Sequence, residues 1–114
     1  MTIEEKTERF TDIMASFIGY TAVHLPDDVV SKLEDLRAAE DDPVALSIYD
    51  MMFDNMRLAA ELGRPSCQDT GLVQFRLECG SDFPMLGQLP DALRSAVIRA
   101  TAETPLRPNA VETF

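Results

Sequence analysis

The sequence has two cysteines, one histidine and no long hydrophobic run, and each of these shortages excludes a class of protein. Two cysteines, Cys67 and Cys79, are too few for the disulfide framework that small secreted domains need. The N-terminal segment MTIEEKTERF is charged and has no apolar signal core. No apolar run approaches the roughly 20 residues that a membrane span requires. The sequence therefore predicts a cytoplasmic protein that does not bind membranes.

Basic residues are also scarce, which bears on the possible binding partners. The chain has 10 Lys and Arg residues against 20 Asp and Glu residues, a formal net charge of -10. A phosphate backbone would be repelled by such a chain, so nucleic-acid binding is excluded. A small dicarboxylate would be repelled too, unless a local cation reverses the field. The 114 residues, of which 46% are apolar, suit one globular domain with a modest core.

Apolar residues at helical spacing predict two helices before residue 40. The first covers about residues 3–23, with Thr2 as its N-cap. Its apolar face is expected to contain Phe10, Ile13, Met14, Phe17 and Ile18. The second helix opens around Pro26, which suits a first turn. Its buried stripe is expected to contain Val29, Val30, Leu33 and Leu36.

A third helix is predicted between Asp42, as its N-cap, and Gly63, as its left-handed terminator. Met51, Met52 and Met56 lie at helical spacing and are expected to pack in the core. A fourth helix begins near Pro90. Its inward side is expected to contain Leu89, Leu93, Ala96, Val97 and Ala100.

Between the third and fourth helices the period changes to two, which predicts a half-buried strand. Val73, Phe75, Leu77 and Cys79 should face inward. A single strand leaves its backbone groups unpaired, so either residues 111–114 or strands outside this sequence must pair with it.

The predicted fold class is therefore α+β, with a helix-rich N-terminal part followed by a small sheet and a further helix. We treat residues 1–114 as a single or partial domain, with a helical part at 1–62 and a loop, strand and helix part at 63–114. The three N-terminal helices should pack together, and the sheet should carry the Cys67 loop at its edge. The fourth helix should cover that sheet. Because the sequence stops in mid-pattern, we expect it to be a fragment of a larger α/β catalytic domain that self-associates through exposed apolar surface.

Cys67 lies in a polar turn, where an accessible thiolate could bind a soft metal or act as a nucleophile. A Cys–His hydrolase would need a base, but the single histidine, His24, is better explained as an exposed or capping residue. Cys67 and Cys79 are twelve residues apart, and no CxxC or HxxxH accompanies them. From the residues alone, Cys67 remains a loop thiol without an assigned role.

Two further charged residues have alternative interpretations. Asp69 could be a turn carboxylate that accepts a backbone hydrogen bond, and the neighbouring Gln68 an ordinary polar loop residue. Arg107 lies next to Pro108 in PLRPN, so its backbone is stiffened. Its guanidinium could bind a carboxylate through two parallel hydrogen bonds, or form an ordinary surface ion pair.

The segments PSCQDTG, LPDDVVSKLEDL, YDMMFDNM and PLRPNAVETF together resemble the iron–sulfur hydro-lyase family. That family comprises class I fumarate hydratases and L(+)-tartrate dehydratases. The similarity covers roughly residues 25–114 and corresponds to the N-terminal part of the catalytic alpha region. PDDVV and MFDNM are closer to tartrate dehydratase alpha subunits than to single-chain fumarases.

The resemblance implies a [4Fe–4S] cluster held by three cysteines, with one iron open to the substrate. Cys67 matches the first cluster ligand, whereas Cys79 matches neither of the others, which should lie downstream. Gln68 and Asp69 match residues that line the substrate cavity, and Asp69 would transfer a proton or orient the leaving hydroxyl. Arg107 matches the arginine that binds a substrate carboxylate, and it supplies the local cation.

The expected function is therefore that of an N-terminal segment of a hydro-lyase acting on a 2-hydroxy dicarboxylate. L-Tartrate is favoured, with malate and fumarate next. The 114 residues alone should bind no cluster and catalyse nothing, because they need a C-terminal region or a beta subunit, in an oligomer. The alternative is a non-catalytic interaction or regulatory module derived from the same family.

Overall fold

The computed structural model describes residues 1–67 and 71–107, which form four α-helices and a short 3-10 turn. The helices are α1 (Ile3–Val23), α2 (Asp27–Ala39), α3 (Pro43–Leu62) and α4 (Leu89–Glu103), and the 3-10 turn is Leu86–Gln88. All four predicted helices are confirmed. None of the helices in these two ranges combines the length and the apolarity that a membrane crossing requires.

Local capping interactions set the ends of α1. The Thr2 hydroxyl accepts a hydrogen bond from the Glu5 amide at 3.1 Å, and the Glu5 carboxylate accepts one from the Thr2 amide at 2.6 Å. These reciprocal bonds satisfy two amides at the helix start. At the other end, the amide of His24 donates to the carbonyl of Tyr20. The predicted roles of Thr2 as N-cap and His24 as a capping residue are both confirmed.

The ends of α3 follow the same local rules. The Asp42 carboxylate accepts from the amides of Val44 at 2.7 Å and Ala45 at 3.4 Å. Gly63 ends the helix at φ 60 and ψ 39, a left-handed conformation that glycine adopts without a Cβ penalty. Both predicted helix ends are therefore confirmed.

The core lies between α1 and α4, which form the most extensive helix pair. Its buried residues are Ala15, Ile18, Ala96 and Ala100. Three of these four are alanines, so the two helix backbones can approach closely. Partly buried apolar side chains close the edges of this core: Met14, Phe75, Val97 and Leu106.

An ion cluster links α1 to α4 at the rim of the core. Arg99 donates to Glu8 at 2.9 Å and also to Asp12. The hydrogen bond that Arg99 donates to Glu8 raises the pKa of the guanidinium above its ordinary value. Arg99 thereby forms a polar link between the two helices.

The α+β prediction is wrong for the described residues, which contain no β-strand. Residues 71–80 form neither helix nor strand, and Phe75 is the one side chain among them that is half-buried. Val73, Leu77 and Cys79 are exposed, so the predicted packing role of Cys79 is also wrong. A strand is stable only with a paired neighbour, and no described segment pairs with residues 71–80. The suggested pairing with residues 111–114 lies outside the described residues.

The predicted packing of the helices needs correction as well. α4 packs on α1 rather than on a sheet, while α3 makes limited contacts with α1 and α2. On α1, Ile18 is buried as predicted, but Ile13 and Phe17 are 56% and 57% exposed, and the buried face is shifted to include Thr11, Ala15 and Gly19. The small residues of this shifted face admit α4 at short range, which large side chains would prevent.

α2 and α3 are peripheral to the core. α2 has no buried residue, so its predicted apolar stripe is not buried, and Ala59 is the one buried residue of α3. The predicted core packing of Met51 and Met52 is therefore wrong in the described structure, and Met56 is half-buried. A bond from Arg37 to Asp50 at 2.8 Å joins α2 to α3.

Candidate functional site

Cys67 lies in the segment that follows α3 and carries an exposed free thiol. The preceding residue, Ser66, anchors this segment to two helices. Its amide donates to the carbonyl of Ala22 at the end of α1, at 3.0 Å. Its own carbonyl accepts a hydrogen bond from the Asn55 side-chain amide of α3, at 2.6 Å. The thiol is therefore open to solvent on a backbone that is fixed immediately before it.

The turn between α3 and Ser66 is also held by its backbone. The left-handed conformation of Gly63 lets the amide of Arg64 reach back to the carbonyl of Ala59 at 3.0 Å. Pro65 then restricts φ and prevents the helix from continuing. The sequence therefore determines both where α3 ends and how the chain turns toward Cys67.

The other predicted site residues are only partly visible in the structure. Gln68 and Asp69 lie outside the described residues. Arg107 follows α4 and is exposed. The predicted roles of all four residues (Cys67 as cluster ligand, Gln68 and Asp69 in the cavity, Arg107 on the carboxylate) stay predictions.

A surface cavity of about 350 Å³ lies where the end of α1 meets α2 and α3. The rings of Tyr20 and His24 stack there with centroids 4.2 Å apart. Arg57 also lines this cavity, and its hydrogen bond to Glu61 raises the pKa of the guanidinium. A wider cavity of about 830 Å³ lies at the start of α1, beside Glu4, Glu5 and Glu8. Neither cavity is lined by Cys67 or Arg107.

Among the described residues, Cys67 is of the right chemical type to be one ligand of an iron–sulfur cluster. Cys67 offers a soft, exposed thiol, the donor type that these clusters use. Within residues 1–67 and 71–107, however, no three His, Cys, Asp or Glu side chains are grouped closely enough to hold a metal ion. Cys67 is therefore suited to be one ligand of a set that the described part of the chain does not complete.

Sequence reasoning missed the two residues that hold the Cys67 loop, Asn55 and Ser66. Asn55 lies in the segment YDMMFDNM, inside α3 and away from both of its ends. Asparagine is a poor helix former and has a donor to satisfy, so its position was a usable signal. Its partner is eleven residues away along the chain, and spacing alone does not reveal such a pair.

Comparison with known proteins identifies the family. Residues 11–114 match the fumarate hydratase (Fumerase) family, and the chain belongs to that family. It is 46% identical over 111 residues to the L(+)-tartrate dehydratase subunit alpha of Escherichia coli (strain K12). The corresponding subunit of Shigella boydii serotype 4 (strain Sb227) gives the same values, with 97% of this chain covered.

A more distant relative has similar coverage. The putative L(+)-tartrate dehydratase subunit alpha of Methanocaldococcus jannaschii is 29% identical over 105 residues, or 90% of this chain. The chain spans about 37% of the length of each of these curated relatives. The expected resemblance to the family of fumarate hydratases and tartrate dehydratases is confirmed.

Proposed function

We propose that this chain is the N-terminal segment of a cytoplasmic iron–sulfur hydro-lyase that dehydrates a 2-hydroxy dicarboxylate, with L-tartrate as the favoured substrate. The observation that carries this proposal is the 46% identity, over 97% of the chain, to proteins named as tartrate dehydratase alpha subunits. Malate and fumarate are the next candidates, because the matching family is named after fumarate hydratase.

Each of the four candidate site residues would have a separate role in the reaction. Cys67 would hold one corner of a [4Fe–4S] cluster through its exposed thiolate. When bound, such a cluster supplies an open iron as a Lewis acid for departure of the hydroxyl group. Asp69 would move a proton at the substrate or orient that hydroxyl, and Gln68 would line the same cavity. Arg107 would pair with a substrate carboxylate and stabilise the charge that develops there.

The active enzyme would need more than this chain. The relatives are named as alpha subunits, and the chain matches about 37% of their length. The missing cluster ligands would therefore come from the rest of an alpha region, and further substrate contacts from there or from a beta subunit. The arrangement predicts an oligomeric enzyme in which the 114 residues by themselves are inactive.

The test compares two exposed cysteines in the complete enzyme. We would express the chain anaerobically with the remaining alpha sequence and the beta subunit, then measure iron content and turnover of L-tartrate, malate and fumarate. Cys67→Ser should remove the cluster and reduce turnover below detection, because serine is a poor ligand for iron in these clusters. Cys79→Ser is the matched control, since Cys79 is also an exposed free thiol. Because Cys79 matches no cluster ligand, this change should leave the iron content and the turnover unchanged.

Each outcome has a distinct meaning. Loss of turnover in the Cys67→Ser variant alone supports the proposal, and the preferred substrate identifies the reaction. Full iron loading without turnover of any of the three compounds would support the cluster but contradict the proposed substrate class. A parent protein with neither iron nor turnover contradicts the hydro-lyase assignment and favours a non-catalytic interaction or regulatory module of the same family.

A further inference from the structure

We propose that Asn55 is a positioning residue for the candidate cluster ligand, acting through the carbonyl of Ser66. This inference rests on the proposed function, because it takes Cys67 to bind iron. Asn55 touches neither substrate nor cluster in this proposal. It fixes the peptide that precedes Cys67, so that the thiolate is presented in one orientation.

The first observation is the hydrogen bond itself. The side-chain amide of Asn55 donates to the carbonyl oxygen of Ser66 with a nitrogen–oxygen distance of 2.6 Å. This is slightly shorter than the roughly 2.7–3.2 Å that is usual for such bonds. Asn55 belongs to the third turn from the end of α3, so a rigid element carries the donor. Donors on helices hold their targets more accurately than donors on loops do.

The second observation is that Ser66 is held from the opposite side as well. Its amide donates to the carbonyl of Ala22 at 3.0 Å, and its hydroxyl donates to the same oxygen at 3.4 Å. Ala22 is in the last turn of α1, which packs against α4. The residue before Cys67 is therefore tied to α3 through its carbonyl group and to α1 through its amide and hydroxyl.

The third observation explains why asparagine occupies a helix interior at this position. Asparagine has a weak helix propensity, and an alanine or leucine would favour α3 more. Its side chain is the right length to donate to a carbonyl across the short gap, while an aspartate of the same shape could only accept. The amide nitrogen is thus the feature of Asn55 that makes this bond possible.

Metal ligands are commonly oriented by hydrogen bonds from residues that do not touch the metal, and losing such a bond typically weakens metal binding 10–100-fold. Asn55 and Ser66 match that arrangement for Cys67. Because the thiol is exposed, a cluster can reach it. Because Ser66 is already hydrogen-bonded, the backbone before Cys67 does not have to become ordered when the cluster binds.

The first arm of the test measures the loop without any cluster. Asn55→Asp keeps the shape of the side chain but replaces the donor by a carboxylate that repels the Ser66 carbonyl. Ser47→Asp adds the same charge to an exposed position of α3 and is the matched control. In the 114-residue chain, we expect the Ser66 amide to exchange hydrogen about fivefold faster in Asn55→Asp, which corresponds to the loss of one typical hydrogen bond. The buried Ala96 amide of α4 is the internal reference and should be unchanged.

The second arm measures the cluster in the complete enzyme. Asn55→Asp, and Asn55→Ala as a second variant without the added charge, should change the electron paramagnetic resonance signal of the cluster after its one-electron reduction with dithionite. Both should release iron to a chelator about tenfold faster than the parent and than Ser47→Asp. A purely structural role in α3 would lower stability without changing the resonance signal.

Two results would overturn the inference. Unchanged exchange of the Ser66 amide in Asn55→Asp would show that the bond does not hold the loop. Faster exchange with an unchanged resonance signal and unchanged iron release would show that the cluster does not depend on the loop. A parent enzyme that binds no iron contradicts the proposed function instead, and the exchange arm still decides whether Asn55 holds Ser66.

Discussion

Gly19 lies on the buried face of α1, directly against Thr104, the residue that ends α4. A Cβ atom at position 19 would lie 2.6 Å from the Thr104 hydroxyl oxygen and 3.6 Å from its Cβ. The first distance is far below a normal contact, and the second is ordinary van der Waals packing. A side chain at position 19 would therefore force the Thr104 hydroxyl to move away from α1.

Substitution of Gly19 by alanine should destabilise the fold despite improving helix propensity. Overpacking typically costs 1–3 kcal/mol, and alanine returns up to about 1 kcal/mol in a helix. We expect Gly19→Ala to lower the free energy of unfolding by about 1 kcal/mol, measured by urea denaturation. In a Thr104→Ala background, where the clashing oxygen is gone, the same change should instead stabilise by about 0.5 kcal/mol. Equal effects in the two backgrounds would contradict this interpretation.

Residue-level prediction worked best for side chains whose partners are close in sequence. Thr2, Asp42 and Gly63 were identified because a cap bonds to amides or carbonyls within a few residues of itself. Asn55 was missed, since its bond to Ser66 depends on how the chain turns after α3. The exposure of Cys79 was also missed, because the sheet that the local alternation indicated is absent from the described residues.

At the scale of elements, α3 depends on its own caps more than on tertiary packing. Ala59 is its one buried residue, and its contacts with α1 and α2 are limited. Helical stability in proteins usually comes from packing of an apolar face. A helix with little such packing should therefore respond strongly to the loss of an N-cap.

Replacing Asp42 should test this directly. Asp42→Ala removes the acceptor for the amides of Val44 and Ala45, and such a loss typically costs about 1 kcal/mol. We expect the amides of α3 to exchange hydrogen about fivefold faster, while those of α4 stay near their parent rates, because α3 opens locally. Asp42→Asn retains the capping oxygen and should behave like the parent. Equal acceleration in α3 and α4 would mean that the two helices unfold together.

The segment 71–80 shows where element prediction failed. Alternation of apolar and polar residues describes what a strand would bury, but the strand itself requires a neighbour that supplies hydrogen bonds. Among the described residues none does so, and Phe75 instead packs against the edge of the α1–α4 core. The helices, whose hydrogen bonds are internal, were predicted with nearly correct ends.

At the scale of the whole molecule, the chain is extended and exposes much apolar surface. Its radius of gyration is 18.2 Å, whereas a compact domain of this size would have a value near 13 Å. Val44, Ile48, Met51 and Leu62 form a stripe along one side of α3 and are each more than half exposed. Stripes of this kind usually mark a surface that contacts another protein.

We expect the 114-residue chain to self-associate through this stripe. Light scattering at micromolar concentration should show species larger than the 12.7 kDa monomer. Ile48→Glu places a charge in the stripe and should shift the distribution toward the monomer, whereas Ser47→Glu adds the same charge beside it and should have a smaller effect. A parent chain that stays monomeric throughout this range would contradict the prediction.

The sequence alone was sufficient for the helices, their ends and the family. Helix ends depend on caps, prolines and a glycine that act within one turn, and family membership depends on short motifs that can be compared directly. Cys67 and Arg107 were selected in the same way, from the wording of CQDTG and LRPNAV.

The tertiary structure decided which surfaces are buried and which residues hold the candidate site. The buried face of α1 includes the small residues Ala15 and Gly19, which let α4 approach closely, whereas Ile13 and Phe17 lie outside it. The anchoring of Ser66 between Asn55 and Ala22 joins residues from two helices. Such contacts form only when segments that are distant in sequence come together. Their free energy depends on both segments at once, so the local pattern of either segment does not predict them.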